Sequence, residues 1–389
     1  MRTSRRMATT IGIGLLLIAS LLLAVCQREQ TADVRVPSPT HQAATASVVR
    51  STATLQHLPS EVSSPSPSGQ ASQIVPTTSI PLDNPRAIAI AAGGDVYVAD
   101  IGDPSQPFPG RVLRISSTGD VETTLAPFSA FSASTAGETY AFGLSSVATS
   151  PDMLYILLGV GAFLQNPIYA ENQLIAVAPN GEITQLFSLA GYEAGHDPDG
   201  LGIDSNAMDV AYAEDGSLWI TDAAGNWAAH LVPTDTEGKP LEVATVAVFP
   251  AVDDEDAVPT GIAVGPDGSA YVALFRCRQP TAGKGGIARV YPDGSFEIVV
   301  DSLSNPIDVG FDAFGNMYVL EFATDYAPET GRLLAVHKDG TLVTVLEDLT
   351  FPTSFAINDR GDVYVTEIAT PAGGATGSGK LLVYASLVP

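Results

Sequence analysis

From Asn84 onward the chain alternates short apolar runs with turn residues, and one phrase returns six times. A run of four or five apolar residues leads into a tight turn, and an aromatic flanked by aliphatic or β-branched neighbours follows. The aromatic half reads Val96-Tyr97-Val98, Leu154-Tyr155-Ile156, Leu218-Trp219-Ile220, Ala270-Tyr271-Val272, Met317-Tyr318-Val319 and Val363-Tyr364-Val365. Short apolar runs bounded by turn residues and rich in aromatic and β-branched side chains predict strands rather than helices. The phrase recurs every ~46 to 64 residues, the spacing of β-propeller blades and too long for most helical repeats. A four-stranded blade cannot bury both of its faces alone, so blades must pack around an axis and close into a ring. The pattern therefore predicts an all-β fold, a six-bladed β-propeller spanning residues 72–389.

Within each blade, strands a to d run outward from the axis. Strand a is predicted at 87–91, 145–149, 208–212, 261–264, 308–311 and 354–357, and strand b is the aromatic phrase. Pairs such as Gly93-Gly94, Asp215-Gly216 and Asp267-Gly268 suit the a–b hairpins, and Asn180-Gly181, Asp293-Gly294 and Asp339-Gly340 the c–d hairpins. The last blade has no outer strand, because only five residues follow Tyr384. Residues 73–80 have strand character and no blade of their own. They are expected to supply the missing strand, so that both chain ends share one sheet and no edge is left open. The b–c loops at 101–110, 159–172, 223–229, 275–286, 322–331 and 368–379 are long, whereas the a–b and c–d turns are nearly all tight. One rim is therefore expected to be loop-rich, and that rim or the channel mouth is where a site belongs.

The first 26 residues read as a signal peptide: Arg2, Arg5 and Arg6 precede an apolar stretch, 11–25, rather short for a membrane span. Its end, Leu23-Ala24-Val25-Cys26, resembles a bacterial lipoprotein cleavage site, with Val25 where Gly, Ala or Ser is usual. Lipidation of Cys26 is the expectation, against ordinary cleavage or an uncleaved anchor. Residues 27–71 are Ser, Thr, Pro and Ala-rich, and no aromatic occurs before Tyr97. Such a segment cannot offset its ordering entropy and reads as a disordered tether. Cys277 is the only other cysteine. A lipidated Cys26 leaves it without a disulfide partner, and two distant cysteines do not make a zinc site.

Eighteen basic residues stand against 43 acidic ones, a net charge of −25. Loss of the signal arginines takes this to about −28. That balance repels phosphate backbones and anionic lipid surfaces, so no nucleic-acid partner is expected and the membrane is touched only through the anchor. A monomer, soluble outside the cytoplasm, is expected.

Repeat register brings carboxylates into view. Three residues after the strand-b aromatic stand Asp100, Leu158, Asp222, Leu274, Glu321 and Glu367. These four acids either accept backbone N–H bonds from their own loops or form a ring of oxygen donors able to hold Ca²⁺. Asp209 and Asp308 occupy the start of strand a, with Ser146 and Ser354 equivalent to them, and face the channel mouth. There they call for a cation between them or for ordered water. Asp100, Asp209, Asp222, Asp308, Glu321 and Glu367 are thus the candidate metal set, and Ca²⁺ is the candidate cofactor. No phosphate loop, dinucleotide fingerprint, Gly-x-Ser-x-Gly or Ser/His/Asp set occurs, so no catalytic residue is assigned.

The most distinctive stretch runs from Gly191 to Asn206 and holds Tyr192-Glu193, Asp197-Pro198-Asp199-Gly200 and Asp204-Ser205-Asn206. Asp197, Asp199 and Asp204 superficially resemble a calcium loop, but their spacing is not that of an EF-hand. With Asp222-Ala-Ala-Gly-Asn226 and Val258-Pro-Thr-Gly-Ile-Ala-Val-Gly-Pro-Asp-Gly268, these motifs resemble the ScyD/ScyE family of secreted bacterial propellers. The resemblance covers residues 82–382. More distantly, the repeats are similar to NHL and SMP-30/gluconolactonase propellers. Asn206-Ala207-Met208 stands where the family usually has Asn-Pro-Tyr, and Phe275-Arg-Cys-Arg278 replaces a Gly/Pro/Phe-rich loop. The candidate ligand-binding residues are Asp204, Asn206 and Asn226. The leading reading is an extracytoplasmic binding or scaffold module that takes a small molecule, polymer or protein on its loop-rich rim. The alternative is a Ca²⁺-dependent hydrolase of the SMP-30/gluconolactonase type, which would need a general base beside an activated water.

Anchoring gives the first prediction. Cys26→Ser should move the protein from the membrane fraction to the soluble fraction, or stall its processing. Wild-type protein found soluble outside the cell would show ordinary signal cleavage instead.

Overall fold

A computed structural model describes residues 74–135, 138–162, 171–234, 240–252, 255–276, 283–324, 327–368 and 379–388. The expected signal segment and tether, with Cys26, and Cys277 lie outside the described residues. Six four-stranded antiparallel sheets form a six-bladed propeller. Strands a are Pro85–Ile90, Leu144–Thr149, Ala207–Tyr212, Pro259–Val264, Pro306–Phe311 and Pro352–Ile357. They begin one or two residues earlier than the pattern predicts, four of them at a proline, which a strand tolerates at its first residue. Strands b are Val96–Asp100, Leu154–Leu158, Leu218–Asp222, Ala270–Leu274, Met317–Glu321 and Val363–Glu367. Each strand a contacts strand a of the next blade, and the sixth contacts the first.

The repeated aromatic has one job throughout. Tyr97 packs into the apolar cluster between blades one and two, Tyr155 between two and three, and Trp219 between three and four. Tyr271, Tyr318 and Tyr364 do the same at the next three seams, the last closing blade six on blade one. Tyr155 stacks on Tyr212 at 5.8 Å, and Tyr271 meets Phe311 edge-on at 5.0 Å, each partner lying on strand a of the following blade. The core is thus a set of seams, each filled by large side chains whose burial drives closure.

The last blade is completed by Thr78–Leu82, which pairs antiparallel with Gly379–Tyr384 from Thr78↔Val383 to Leu82↔Gly379. The closing strand lies a few residues later than 73–80. Its final residue, Leu82, is buried in the seam between blades six and one, and that burial fixes the register.

Two elements were not expected from the alternation. A hairpin, Phe131–Thr135 with Glu138–Phe142, stands between blades one and two. Helix α1, Leu189–His196, stands between blades two and three. The b–c connection of blade three is also short: strand c begins at Trp227, so four residues bridge the two strands, not the seven of 223–229. The loop-rich rim of blade three is built instead by α1 and the segment after it.

Removing residues 72–81 should expose the edge of Gly379–Tyr384. At ~1 kcal/mol per ladder hydrogen bond the loss is several kcal/mol, and Tm should fall by ~5–10 °C. An unchanged Tm would refute closure by this strand.

Candidate functional site

Every blade has a register shift at the start of strand a, for example between Ala207 and Val210 and between Pro306 and Asp308. Such a bulge releases backbone N–H groups from the ladder and re-aims side chains. Strand a is also the free inner edge of each sheet, and N–H groups on that edge are taken up across the seams. Asp209 accepts Ile262 N–H of blade four at 2.8 Å and the Ser146 hydroxyl of blade two at 2.5 Å. Asp308 accepts Phe355 N–H at 3.1 Å and the Ser354 hydroxyl at 2.9 Å, both of blade six. Ser354 Oγ accepts Ile88 N–H of blade one at 3.3 Å. Each acid also accepts the N–H of its own successor, Val210 or Val309. The two channel carboxylates are therefore inter-blade links. Burial raises both pKa values; for Asp308 the charge of Asp209 adds to it. Asp209 keeps some accessible surface because it faces the channel.

The four strand-b acids share one register position, opposite the first residue of strand a. Each reaches back to the segment before strand a. Asp100 accepts Asn84 N–H at 2.7 Å, Asp222 accepts Asn206 N–H at 2.8 Å, Glu321 accepts Ser304 N–H at 2.6 Å, and Glu367 accepts Thr350 N–H at 2.8 Å. Three of them also have a base on strand c (Gly110–Ile115, Gly331–Val336 and Gly379–Tyr384 in blades one, five and six): Arg111 Nη2 lies 2.9 Å from Asp100, Lys380 Nζ 3.0 Å from Glu367, and Arg332 Nε pairs with Glu321. The structure does not bring these acids to a common point with one another or with the channel pair. Arg86, which the sequence reading passed over, donates to Ala141 O at 3.0 Å while its Nε has no partner, and burial lowers its pKa to about 10.

Blade three departs from this scheme. Opposite Asp222 stands Trp227, not a base. Asp222 is fully buried and relies on neutral donors: Asn206 N–H, Gly225 N–H at 3.1 Å and the Ser205 hydroxyl at 2.5 Å. Desolvation lifts its pKa to about 6, and the nearby charge of Asp204 adds to the rise.

The Trp227 indole instead donates to Glu193 Oε2 on α1, at 2.8 Å. Glu193 is buried, and Oε1 has no hydrogen-bond partner. Its pKa is raised by burial first and by the charges of Asp222 and Asp199. Only Gly at position 225 allows this contact, since a Cβ there would lie 2.3 Å from Trp227 Nε1.

The helix is set by its caps. Ser188 Oγ accepts Gly191 N–H at 3.0 Å, and Asn172 O accepts Leu189 N–H at 2.9 Å. At the other end Asp197 adopts φ 42° and ψ 64°, its N–H returning to Glu193 O. Asp197 Oδ1 then accepts Gly202 N–H at 3.1 Å, and Asp199 Oδ1 accepts Leu201 N–H at 2.8 Å. Carboxylate oxygens of Glu193, Asp197 and Asp199 come within 4.8 Å of one another. Tyr192 stacks on His196 at 4.1 Å and meets Trp227 edge-on at 5.6 Å, so the outer face of this cluster is aromatic.

Of the candidate ligand-binding residues, Asn226 is buried and at φ 55°. Its amide donates to Asp199 Oδ2 at 3.0 Å and accepts Val258 N–H at 3.2 Å. Asn206 O accepts Ala223 N–H at 2.9 Å, as Asn84, Val258, Asn305 and Phe351 do for the equivalent residue of their blades. Asp204 lies beside both Asp222 and Glu193. Sequence reasoning missed Glu193 as a site residue and Asn172, whose side chain ties Ser205 O and Ala207 N–H. The four-residue spacing of Glu193 and Asp197 was the available signal for the first. On the same rim, Phe322, Ala323, Phe351 and Ile368 form a separate apolar cluster at blades five and six.

No family model matches the chain and no curated protein matches it. Its fold is similar to several solved propellers. The PQQ-bound aldose sugar dehydrogenase of Streptomyces coelicolor is 15% identical, with TM-score 0.51, over 81% of this chain and 96% of that one. A protein of unknown function from Bacteroides thetaiotaomicron is 14% identical, with TM-score 0.51, over 80% and 72%. A gluconolactonase from Xanthomonas campestris is 14% identical, with TM-score 0.47, over 82% and 99%. At such identities the likeness speaks for the propeller fold alone.

Asp222 makes the charge of the site measurable. Its folded pKa of about 6 exceeds the value of 3.8 for a free side chain. The folded state therefore holds the proton more tightly, and this contribution to stability is full below pH ~4 and lost as pH rises through ~6. Asp222→Asn keeps the acceptor for both N–H donors and removes the titration. In EDTA, wild type should gain up to ~3 kcal/mol on the variant as pH falls from ~6.5 to ~4. A pH-independent difference would refute it.

Proposed function

We propose that this chain is an extracytoplasmic binding or scaffold module, anchored through Cys26, whose loop-rich rim takes a small molecule, polymer or protein. The observation that carries the reading is the employment of the acids. Asp209 and Asp308 bond across blade seams, and Asp100, Asp222, Glu321 and Glu367 bond the start of their own blades. Oxygens used this way hold a framework rigid, and a rigid framework with long rim connections is what a recognition surface needs. Blade three adds exposed Leu201 and Ile203 beside its acidic cluster, a mixed apolar and acidic patch on the rim. Membership of the ScyD/ScyE family belongs to the same proposal. It is supported by the motifs at Tyr192-Glu193, 197–200, 204–206 and 222–226, which now assemble in one place.

The hydrolase reading has one observation in its favour, the raised pKa values of Asp209 and Asp308 in the channel, where a general base could sit. An assay separates the two. The full chain with calcium should hydrolyse a sugar lactone no faster than buffer. Saturable hydrolysis that is lost in Asp209→Asn would overturn the binding reading.

A further inference from the structure

We propose that Glu193, Asp197 and Asp199 form a calcium site on the rim of blade three. Their carboxylate oxygens gather within 4.8 Å of one another. A group of acids alone would mean little on so acidic a chain. The independent sign is Glu193, which is fully buried and has Oε2 bonded to Trp227 while Oε1 has no donor. A buried carboxylate oxygen left unmet is costly, and a cation is the partner that meets several such oxygens at once. Asp204 N–H faces the same carboxylate, but it does not satisfy Oε1.

No base relieves this cluster. Strand-b acids of blades one, five and six have Arg111, Arg332 and Lys380. Among the described residues no lysine or arginine pairs with Glu193, Asp197, Asp199 or Asp222. His196 turns its Nδ1 to Tyr192 O and stacks on the Tyr192 ring, away from the role of a counter-ion.

The donors are held before any ion arrives. Asp197 is fixed by its left-handed C-cap and by Gly202 N–H, and Asp199 by Leu201 N–H and the Asn226 amide. Every carboxylate oxygen has lone pairs to spare after one such bond. An all-oxygen donor set selects a hard cation. Calcium takes carboxylate oxygens in flexible geometry, whereas magnesium demands a near-ideal octahedron and keeps several of its waters, so a site of protein carboxylates suits calcium. The site stands apart from the channel acids and does not depend on whether the rim binds a partner.

The chain has two tryptophans. Trp227 touches Glu193, and Trp219 stacks on His230 at 4.4 Å in another seam. Calcium added to the EDTA-treated full chain should give a saturable change in tryptophan emission and a rise in Tm, both reversed by EDTA. Half-saturation by magnesium should need at least about tenfold more ion. Glu193→Gln should weaken calcium binding at least about tenfold. Asp197→Asn should do the same, and as a partly exposed residue it leaves the fold intact. The double change Asp209→Asn, Asp308→Asn should leave the calcium response in place. Absence of any calcium response up to ~10 mM, beyond the range of extracellular calcium modules, would overturn the proposal. So would a response that survives Asp197→Asn and Glu193→Gln, or one lost only in the channel double variant.

Discussion

The whole molecule depends on how one blade is held to the next. A blade's own ladder hydrogen bonds fix its four strands, but they do nothing across the seam. Two devices act there. The strand-b aromatic fills the apolar gap against strand a of the following blade, as Tyr271 does on Phe311. Strand a is the free inner edge of each sheet, and the preceding blade accepts an N–H from it, at Ile262, Phe355 and Ile88. The first device supplies area, which is non-directional. The second is directional and sets how far each blade slides along its neighbour. Gly261 shows how close that approach is, since a Cβ there would lie 2.5 Å from Asp308 Oδ1.

A seam held this way consumes carboxylates. Each N–H released from a ladder inside the protein needs an acceptor, and an ionised or partly ionised oxygen is the strongest available. Asp209 and Asp308 meet that demand in the channel, and Asp100, Asp222, Glu321 and Glu367 meet it under the rim. Burial charges a cost for each negative group, and blades one, five and six offset it with a strand-c base. Blade three has Trp227 at that register and meets Asp222 with neutral donors instead. The acidity of the sequence is therefore not spread evenly in its consequences: among the described residues the strand-b acids of blades one, five and six have a base, whereas the channel pair and the blade-three acids rely on neutral donors.

Much of the fold was legible in the chain. Short apolar runs, a recurring aromatic and Gly- or Asp-containing turns give six blades, and the missing outer strand after Tyr384 gives the closure. Helix α1 was not legible, because its eight residues include Gly191 and Gly195 and show no apolar stripe. The hairpin Phe131–Phe142 sits between blades and follows no repeat. The position of the four acids was readable from register, but their partners were not. Asn84, Ser304 and Thr350 contribute backbone N–H groups, which no side-chain pattern reveals. The base on strand c was readable in principle. Arg111, Arg332 and Lys380 each follow a glycine at the start of that strand, and Trp227 breaks the series.

That break links site and scaffold through one residue. Asn226 binds Asp199 with its amide nitrogen and Val258 N–H with its amide oxygen. Val258 is β-branched and buried yet sits at φ 49°, a conformation that costs on the order of 1–3 kcal/mol and persists only when its surroundings hold it. The Asn226 bond and the Phe275 N–H that returns to Val258 O are what hold it. Asn226 thus joins Asp199 to the start of blade four through two hydrogen bonds. At blade three the charge of the rim and the geometry of a seam therefore share one side chain, Asn226.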